Sequence, residues 1–299
     1  MKRALVLRGG ALGDFVLTLP LIRALRLPFE KVDVLANRAF ADLSGKSAFA
    51  LDDLDLAPFF VPQTELPQKW RDYFSRYQLV ISYLHDPDRS FERNVRACGC
   101  ATFVAGPHRI EDGAHATEQL ARPLHQLGIA IADWAPKLEH NQAETAAVCA
   151  EFPLPLMALH PGSGSARKNW PINNWIGLTQ QLLACGRSVV VIGGEADEGE
   201  IAAMRNHLGD RVEYAIKWPL RKLSALLSGA RFIGHDSGVS HLAAAAGASC
   251  TVLFGPTDPK TWAPRGNNVR VHLAPGGNLI ELKLELVVKL LLTRGLLQG

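Results

Sequence analysis

Side chains able to do chemistry are most concentrated between positions 234 and 247, where a carboxylate, a hydroxyl and an imidazole lie among glycines. An apolar run at 230–233 precedes this segment, and an Ala-rich stretch with high helix propensity follows it. A strand, a tight turn and a helix N-terminus direct free backbone N–H groups and the positive end of the helix dipole at an anion. A helix cap at Ser237 would explain one of these polar residues but not the group. The candidate ligand-binding residues are Asp236, Ser237, Gly238 and His241.

A second polar loop, at 160–171, follows an apolar run at 157–159. Its glycines and serines leave backbone and hydroxyl donors accessible, and Arg167 and Lys168 add positive charge. The composition is typical of a phosphate or leaving-group site. A basic surface loop is the alternative, and it leaves Trp170 and the glycine density unexplained. The candidate ligands here are Ser163, Gly164, Ser165 and Lys168.

Two further strand ends carry polar groups. Glu195 follows an apolar run and two glycines, where its carboxylate could accept hydrogen bonds from a ribose or a base. An acid in a solvated loop is an equally ordinary interpretation. A proline-bracketed loop at 254–259 could line a cleft or simply turn the chain.

The first glycine-rich turn resembles part of a dinucleotide-binding fingerprint. Gly10 and Gly13 match its last two glycines, and Asp33 lies about 20 residues further on. However, Arg8 occupies the place of the first glycine, and Asp14 puts a carboxylate where a pyrophosphate would bind. A dehydrogenase is therefore disfavoured. Asp14 could instead accept a proton from a substrate hydroxyl, or it could only cap the helix, and the spacing leaves both open.

Short apolar runs alternate with amphipathic segments, which is typical of parallel α/β sheets. The predicted strands are 4–7, 32–35, 79–82, 102–105, 157–159, 188–192, 231–233 and 250–253. The predicted helices begin at Asp14, lie near 174–184 and 198–207, and end the chain at 279–297.

The chain has 299 residues, which is long for one hydrophobic core and suits two α/β domains. We predict domains at 1–150 and 151–299, with a short helix within 133–155 as the connection. The final helix could also pack back on the first domain. Two doubly wound sheets of this kind would leave a central cleft at the carboxyl ends of their strands.

Composition excludes several classes of protein. Hydrophobic residues make up 47% and charged residues 20%, which indicates a globular rather than a disordered chain. The net charge of +3 gives no field suited to nucleic acid, and the positive excess falls in 151–299. The five cysteines have neither disulfide-framework nor zinc spacing. Surface or structural roles without metal are expected for His85, His108, His115 and His125.

The beginning of the chain briefly resembles a signal peptide. Arg8 and Asp14 interrupt its apolar stretch, and no small-residue cleavage site follows. No run reaches the ~20 apolar residues of a membrane span. We therefore expect a cytoplasmic protein.

Taken together, these motifs resemble the ADP-heptose:lipopolysaccharide heptosyltransferases of glycosyltransferase family 9. The matching segments are 8–14, 160–171, 193–195, 234–247 and 254–259, in order along nearly the whole chain. The resemblance implies a GT-B fold, in which two Rossmann-like domains face a central cleft. It implies that the first domain binds the acceptor and the second binds the nucleotide sugar. It also implies an inverting transfer from ADP-heptose to a lipopolysaccharide-core or related saccharide, without a metal ion or other cofactor.

The resemblance implies roles for individual residues. Asp14 would be the general base that deprotonates the acceptor hydroxyl, and Lys168 would neutralise charge on the departing diphosphate. The implied donor-binding residues are Ser163, Gly164, Ser165, Glu195, Asp236, Ser237, Gly238 and His241. Within this set Glu195 would meet the ribose, and Asp236 would hold sugar hydroxyls. The predicted acceptor-binding residues are Gly10, Gly13, Arg89 and Arg93.

The sequence leaves open two alternative functions and an association with a membrane. The chain could transfer to an acceptor unrelated to lipopolysaccharide, or it could be a catalytically silent nucleotide-binding module. Having both Asp14 and Lys168 argues against the silent module, because a binder needs no base. A transient association with the inner face of the cytoplasmic membrane is also compatible with a lipid-linked acceptor.

Overall fold

The computed structural model describes residues 2–41, 43, 50–51, 56–152 and 155–292. The chain divides into two compact units, Met1–Pro136 and Lys137–Gly299. The short helix predicted within 133–155 spans Gln142–Ala150 and belongs to the second unit. Each unit contains one wholly parallel sheet, as the alternation of apolar and amphipathic segments predicts.

The first unit is built on a sheet of four strands in the order β2-β1-β3-β4. Its strands are β1 (Arg3–Arg8), β2 (Lys31–Ala36), β3 (Leu79–Ser82) and β4 (Thr102–Ala105). Its helices are α1 (Leu12–Leu25), α2 (Arg38–Ala41), α3 (Gln68–Phe74), α4 (Ser90–Ala97), α5 (Ala116–Leu120) and α6 (Arg122–Gln126), with a 3₁₀ turn at Ala57–Phe60. All four strands predicted from 1–150 are confirmed, with bounds that differ by at most one residue at either end.

The core of this unit is rich in aromatic side chains. Phe59 packs against Phe74 and Phe91, with ring centroids 5.1 and 5.6 Å apart, and all three are fully buried. Burying each large aromatic removes 150–250 Å² of surface from water, which makes such a cluster a major source of stability. It supports the sheet from the face that carries α3 and α4.

The second unit is built on a sheet of six strands in the order β10-β9-β8-β5-β6-β7. Its strands are β5 (Leu156–Leu159), β6 (Ser188–Gly193), β7 (Glu213–Ile216), β8 (Arg231–His235), β9 (Ser249–Phe254) and β10 (Val269–Leu273). Its helices are α7 (Gln142–Ala150), α8 (Ile172–Ala184), α9 (Glu198–Leu208), α10 (Leu220–Ser228), α11 (Gly238–Ala246), α12 (Pro259–Trp262) and α13 (Leu284–Leu292). Short 3₁₀ turns lie at Ala166–Lys168, Glu195–Asp197, Gly209–Arg211, Pro275–Gly277 and Leu279–Glu281.

The last helix begins later than the sequence predicts. A 3₁₀ turn occupies Leu279–Glu281, and the indole N–H of Trp170 donates to the carbonyl of Leu282 at 2.6 Å. The backbone of Leu282 is extended, with a φ of −77° and a ψ of 105°, so the helix cannot run through this residue, and α13 starts at Leu284. Val287 and Leu291 of α13 pack into the core of the second unit, and the predicted end of the helix, 293–297, lies outside the described residues.

Strand order defines where each sheet can hold a ligand. In the first sheet β1 has β2 on one side and β3 on the other, and in the second sheet β5 lies between β6 and β8. The connections after the two strands at such a switch point diverge to opposite faces and leave a crevice at their carboxyl ends. The loops after β1 and β3, and those after β5 and β8, are therefore the positions to examine.

In the described part of the chain, no helix is long and apolar enough to cross a membrane.

Candidate active site

The carboxyl end of β1 carries a partly buried ion pair. Asp14, in the first turn of α1, accepts from Arg8 Nη2 at 3.1 Å through Oδ1 and from the backbone N–H of Ala11 at 3.1 Å through Oδ2. The Arg8 side chain is only 4% exposed, and that of Asp14 is 29% exposed. Burial lowers the pKa of Arg8, and the Asp14 carboxylate acts in the opposite direction. Asp14 thus both caps α1 and keeps an accessible carboxylate, so the two interpretations of this residue are compatible.

Gly10 gives Asp14 its position. Its φ of +91° lies in the left-handed region, and a Cβ at this residue would lie 2.7 Å from Asp14 Oδ2. A side chain here would displace the carboxylate. Gly13 is the second residue of α1, one position before Asp14.

A cavity of about 380 Å³ opens beside Asp14. His85, which follows β3, and His108, which follows β4, form part of its wall, with ring centroids 4.4 Å apart. Arg109 adds an exposed guanidinium, and no ion-pair partner for it is found among the described residues. The pocket therefore offers a carboxylate, two adjacent imidazoles and the Arg109 guanidinium to one ligand.

A neighbouring cavity of about 530 Å³ shares Leu84, His85 and His108 with the first. Arg89 lies on its wall with a φ of +58°, an uncommon conformation for a residue with a side chain. Its guanidinium pairs at 2.9 Å with the buried carboxylate of Glu92.

The structure separates the two arginines predicted to bind the acceptor. Arg89 lies beside the pocket of Asp14, whereas Arg93 lines neither cavity and donates to Ser90 Oγ at 3.1 Å. Arg96 takes its place on the cavity wall, where its Nε pairs with Glu92 at 2.9 Å.

In the second unit, a lysine and an aspartate meet at the carboxyl edge of the sheet. Lys168 Nζ donates to Asp236 Oδ2 at 2.8 Å, and Thr257 Oγ1 donates to the same oxygen at 2.8 Å. The three residues follow β5, β8 and β9 respectively, which are neighbours in the sheet. Asp236 is 9% exposed and Lys168 is 30% exposed, so the ammonium is within reach of a bound ligand. The fold thus brings Lys168 and Asp236, which lie far apart in the sequence, into contact.

The N-terminus of α11 begins directly beside this pair. Ser237 is the N-cap, and its Oγ accepts from the backbone N–H of Ser240. Gly238 is the first residue of the helix, and His241, which is 4% exposed, lies one turn along it. Free N–H groups, the helix dipole and the Lys168 ammonium therefore converge on one place, as an anion site requires.

A buried hydrogen-bonded chain lies behind Ser237. His160 Nδ1 lies 3.3 Å from Ser237 Oγ, and His160 Nε2 lies 3.2 Å from Asp197 Oδ2. Burial, the largest influence, raises the pKa of Asp197, but hydrogen bonding and electrostatic attraction from His160, with the Gly194 N–H, hold it below its usual value. A Cβ on Gly162 would overlap the Asp197 carboxylate, so only glycine fits there.

His235 anchors the 160–171 loop to the end of β8. Its Nε2 accepts from the Trp170 N–H at 2.9 Å, which leaves the proton on Nδ1, 3.3 Å from the Gly162 carbonyl. Burial lowers its pKa to about 3. A neutral imidazole thus holds both ends of the loop.

The remaining predicted donor residues have fewer contacts with this cluster. Ser163 Oγ lies 2.6 Å from Asn169 Oδ1, Gly164 has a φ of +75°, and the Ser165 N–H lies 3.4 Å from Ser163 Oγ. The Ser163 hydroxyl is therefore engaged within its own loop. Glu195 begins the 3₁₀ turn after β6 and is exposed to solvent.

The sequence analysis assigned no ligand-binding role to several residues of the site. His85, His108 and Thr257 each follow a strand at the same edge as the predicted residues, so the rule that ligands bind at carboxyl ends could have found them. Asp197, His160 and His235 meet only through the fold. His115 has the structural role expected of it, because its Nδ1 accepts from the Thr117 N–H and caps α5.

Among the residues that the structure describes, no group of three or more His, Cys, Asp or Glu is arranged to hold a metal ion.

The first unit has a carboxylate beside a cavity, and the second has a lysine and a helix N-terminus suited to a phosphate. Two parallel α/β units of this kind are the architecture of GT-B glycosyltransferases. The family model described as "Glycosyltransferase family 9 (heptosyltransferase)" matches residues 82–290. The chain belongs to this family.

Two individual proteins similar in sequence to this chain are lipopolysaccharide heptosyltransferases. The chain is 34% identical over 123 residues to lipopolysaccharide heptosyltransferase 1 of Escherichia coli, which covers 41% of this chain and 39% of that protein. It therefore matches about two fifths of that relative's length. It is 27% identical over 305 residues to lipopolysaccharide heptosyltransferase 1 of Pseudomonas aeruginosa, covering 91% of this chain and 83% of that one.

A solved structure shows the same fold. The structure of E. coli heptosyltransferase WaaC with ADP superposes with a TM-score of 0.71 at 21% identity, covering 97% of this chain and 99% of that chain.

Proposed function

We propose that the chain transfers heptose from ADP-heptose to a saccharide acceptor of the lipopolysaccharide core, with inversion at the anomeric carbon and without a metal ion. The observation that carries the proposal is the contact of Lys168 with Asp236 beside the N-terminus of α11, in a chain of family 9. A cation, free amides and a hydroxyl at one sheet edge suit a nucleoside diphosphate, and the matched heptosyltransferase was solved with ADP.

In the proposed reaction Asp14 takes the proton of an acceptor hydroxyl. The acceptor oxygen forms a bond to the anomeric carbon while the bond from that carbon to the diphosphate oxygen breaks, and ADP leaves with the electron pair. Lys168 and the first N–H groups of α11 stabilise the charge that develops on the diphosphate. These groups neutralise the leaving group directly, which is why the proposal includes no metal.

The donor and acceptor residues divide between the two units in this proposal. Asp236 and Thr257 would meet sugar hydroxyls, and Glu195 would meet the ribose. The first unit would bind the acceptor and the second the donor. Gly10, His85, His108, Arg89 and Arg109 surround or adjoin the pocket in which the acceptor would bind.

The test is an assay of the purified chain with ADP-heptose and a panel of acceptors that includes lipopolysaccharide-core saccharides. We expect release of ADP, a mass increase of one heptose in the acceptor, an inverted anomeric configuration by NMR, and the same rate with and without EDTA. Transfer only to an unrelated acceptor would replace the acceptor assignment. Binding of ADP without turnover of any sugar nucleotide would make the chain a nucleotide-binding module instead.

A further inference from the structure

Asp197 is a buried carboxylate that takes no part in the transfer steps above. Its side chain is 7% exposed, and burying a charge is unfavourable unless hydrogen bonds compensate it. Asp197 Oδ2 accepts from the backbone N–H of Gly194 at 2.7 Å and so closes the turn after β6, on which Glu195 lies. One contact of Asp197 therefore fixes the backbone that carries Glu195.

The same oxygen connects Asp197 to the N-terminus of α11. Asp197 Oδ2 lies 3.2 Å from His160 Nε2, and His160 Nδ1 lies 3.3 Å from Ser237 Oγ, the N-cap of that helix. These three residues are at most 9% exposed, so bulk water does not compete for the contacts. Ser237 is thereby held in place from the side opposite the ligand-binding edge.

The loop after β5 packs against Asp197 as well. A Cβ on Gly162 would overlap the Asp197 carboxylate, so the backbone of this loop lies directly against that side chain. His160 begins the loop, and Lys168 lies further along it. Because a closely packed interior transmits a displacement rather than absorbing it, a shift of the Asp197 side chain would also move this loop.

We propose that Asp197 is a positioning residue that fixes the distance between the ribose-binding and the diphosphate-binding groups of the donor site. The proposal rests on the proposed function, in which Glu195 meets the ribose and the N-terminus of α11 meets the diphosphate. Glu195 follows β6 and Ser237 follows β8, and the sheet places β5 between these strands. The hydrogen bonds of the sheet thus do not join the two groups directly, whereas Asp197 contacts the supports of both. A ligand that must reach both groups at once depends on their separation.

The experiment measures the Kd of ADP, 2′-deoxy-ADP and 3′-deoxy-ADP by calorimetry. We expect the wild type to bind ADP about tenfold more tightly than at least one deoxy analogue, because a hydroxyl donates a charge-assisted hydrogen bond to the Glu195 carboxylate. Asp197→Ala should raise the Kd of ADP by about tenfold and bring the ratio of the two Kd values close to one, since Glu195 is no longer held at the right distance from the diphosphate. Asp197→Asn keeps an oxygen at the place of Oδ2 and should retain most of the preference. A loss of stability alone would lower the Tm without changing the ratio.

Two further variants separate the two connections of Asp197. His160→Leu removes the contact to Ser237 but leaves the turn of Glu195 closed, so it should raise the Kd of ADP by about tenfold and keep the preference for ADP over the deoxy analogue. This variant gives a second test if Asp197→Ala does not fold. Glu195→Ala should abolish the preference, and adding Asp197→Ala to it should change the ratio no further, because both substitutions act on one contact.

Asp33→Ala is the matched control. Asp33 is a carboxylate of the first unit, 11% exposed, that accepts from Arg3 Nη2 at 2.6 Å and from the Tyr77 hydroxyl at 2.9 Å. Its replacement removes a comparable set of hydrogen bonds far from the donor residues in the sequence. It should lower the Tm and leave all three Kd values unchanged.

The wild-type ratio in Asp197→Ala, or an unchanged Kd of ADP in His160→Leu, overturns the inference. A wild type that binds ADP and both analogues equally overturns it too, as does a Glu195→Ala variant that keeps the preference. Each of these results leaves the proposed transfer reaction intact. Failure of the wild type to bind ADP would instead overturn the proposed function and the inference with it.

Discussion

Lys168 Nζ lies 2.8 Å from Asp236 Oδ2, although the two residues are separated by 68 positions in the sequence. The contact joins the loop after β5 to the loop after β8, and Thr257 adds a second donor to the same carboxylate oxygen. The ammonium is thereby held at the helix end before any ligand binds. Such preorganised charge costs no rearrangement at the moment of reaction.

Replacement of Lys168 should therefore impair the chemical step. We expect Lys168→Ala to lower kcat by ~10²–10³, the usual effect of losing one group that stabilises the leaving group, and to weaken ADP binding. Steady-state kinetics and calorimetry would measure both. Lys222→Ala is the matched control, because Lys222 also faces a carboxylate, that of Glu151 at 3.5 Å, on the surface. Equal activity of the Lys168 variant and its control would remove the role assigned to Lys168.

Asp14→Asn should separate transfer from donor binding. We expect kcat to fall by ~10²–10⁴, because the amide cannot accept the acceptor's proton, while the affinity for ADP stays unchanged. Asp33→Asn is a suitable control. Asp33 pairs with Arg3 at 2.6 Å on the same sheet, but Arg3 begins β1 whereas Arg8 ends it. Both variants should lower the Tm, and only Asp14→Asn should lower kcat; a fully active Asp14→Asn would exclude it as the base.

Arg109→Ala should change the KM for the acceptor and leave the KM for the donor unchanged. The exposed guanidinium lies on the wall of the pocket that contains Asp14, so we expect a higher KM for an anionic acceptor and no change in the KM for the donor. The comparison is with Arg93→Ala, since Arg93 lines neither cavity. A kinetic matrix over both substrates would measure the split. If only Arg93→Ala raised the acceptor KM, Arg93 rather than Arg109 would be the arginine that binds the acceptor.

His235 should make the second unit sensitive to acid. Its pKa is lowered to about 3 in the folded protein, whereas an unfolded histidine has a pKa of about 6.5. The unfolded chain therefore binds the extra proton first, and stability is lost as the pH falls from about 6.5 towards 3. At pH 5 the loss is about 2 kcal/mol from this residue.

Thermal unfolding at a series of pH values would measure the effect of His235. In His235→Gln the amide can accept from the Trp170 N–H and donate to the Gly162 carbonyl but cannot titrate, so part of the acid sensitivity should disappear. His207→Gln should keep it, because His207 is exposed. An identical pH dependence in wild type and His235→Gln would contradict the assignment.

The residues around Asp14 show why part of the site cannot be predicted from local sequence. Asp14 follows a strand and a glycine turn, which identifies it locally. His85 and His108 carry no local pattern, and they become neighbours of Asp14 only because β1, β3 and β4 are adjacent and parallel. Arg93 is a candidate because it belongs to a local basic patch with Arg89, but it lines neither cavity.

Of the four edge strands, the apolar pattern identifies β2 and β4 but not β7 and β10. β7 and β10 lie at the two edges of the second sheet, and half-exposed positions break the apolar run that identified the central strands. Apolar periodicity reports burial, and an edge strand is buried on fewer sides.

The sequence by itself determined the strand–turn–helix units, because apolar runs, glycines and capping residues act within a few positions of one another. Those units predict the parallel α/β class and identify Asp14, Lys168, Asp236 and Ser237 as candidate site residues. Tertiary structure alone decided that Lys168 meets Asp236, that Asp197 and His160 lie behind Ser237, and that the Trp170 indole bonds to the Leu282 carbonyl. These contacts depend on strand order and on burial, which bring together side chains that no local spacing relates.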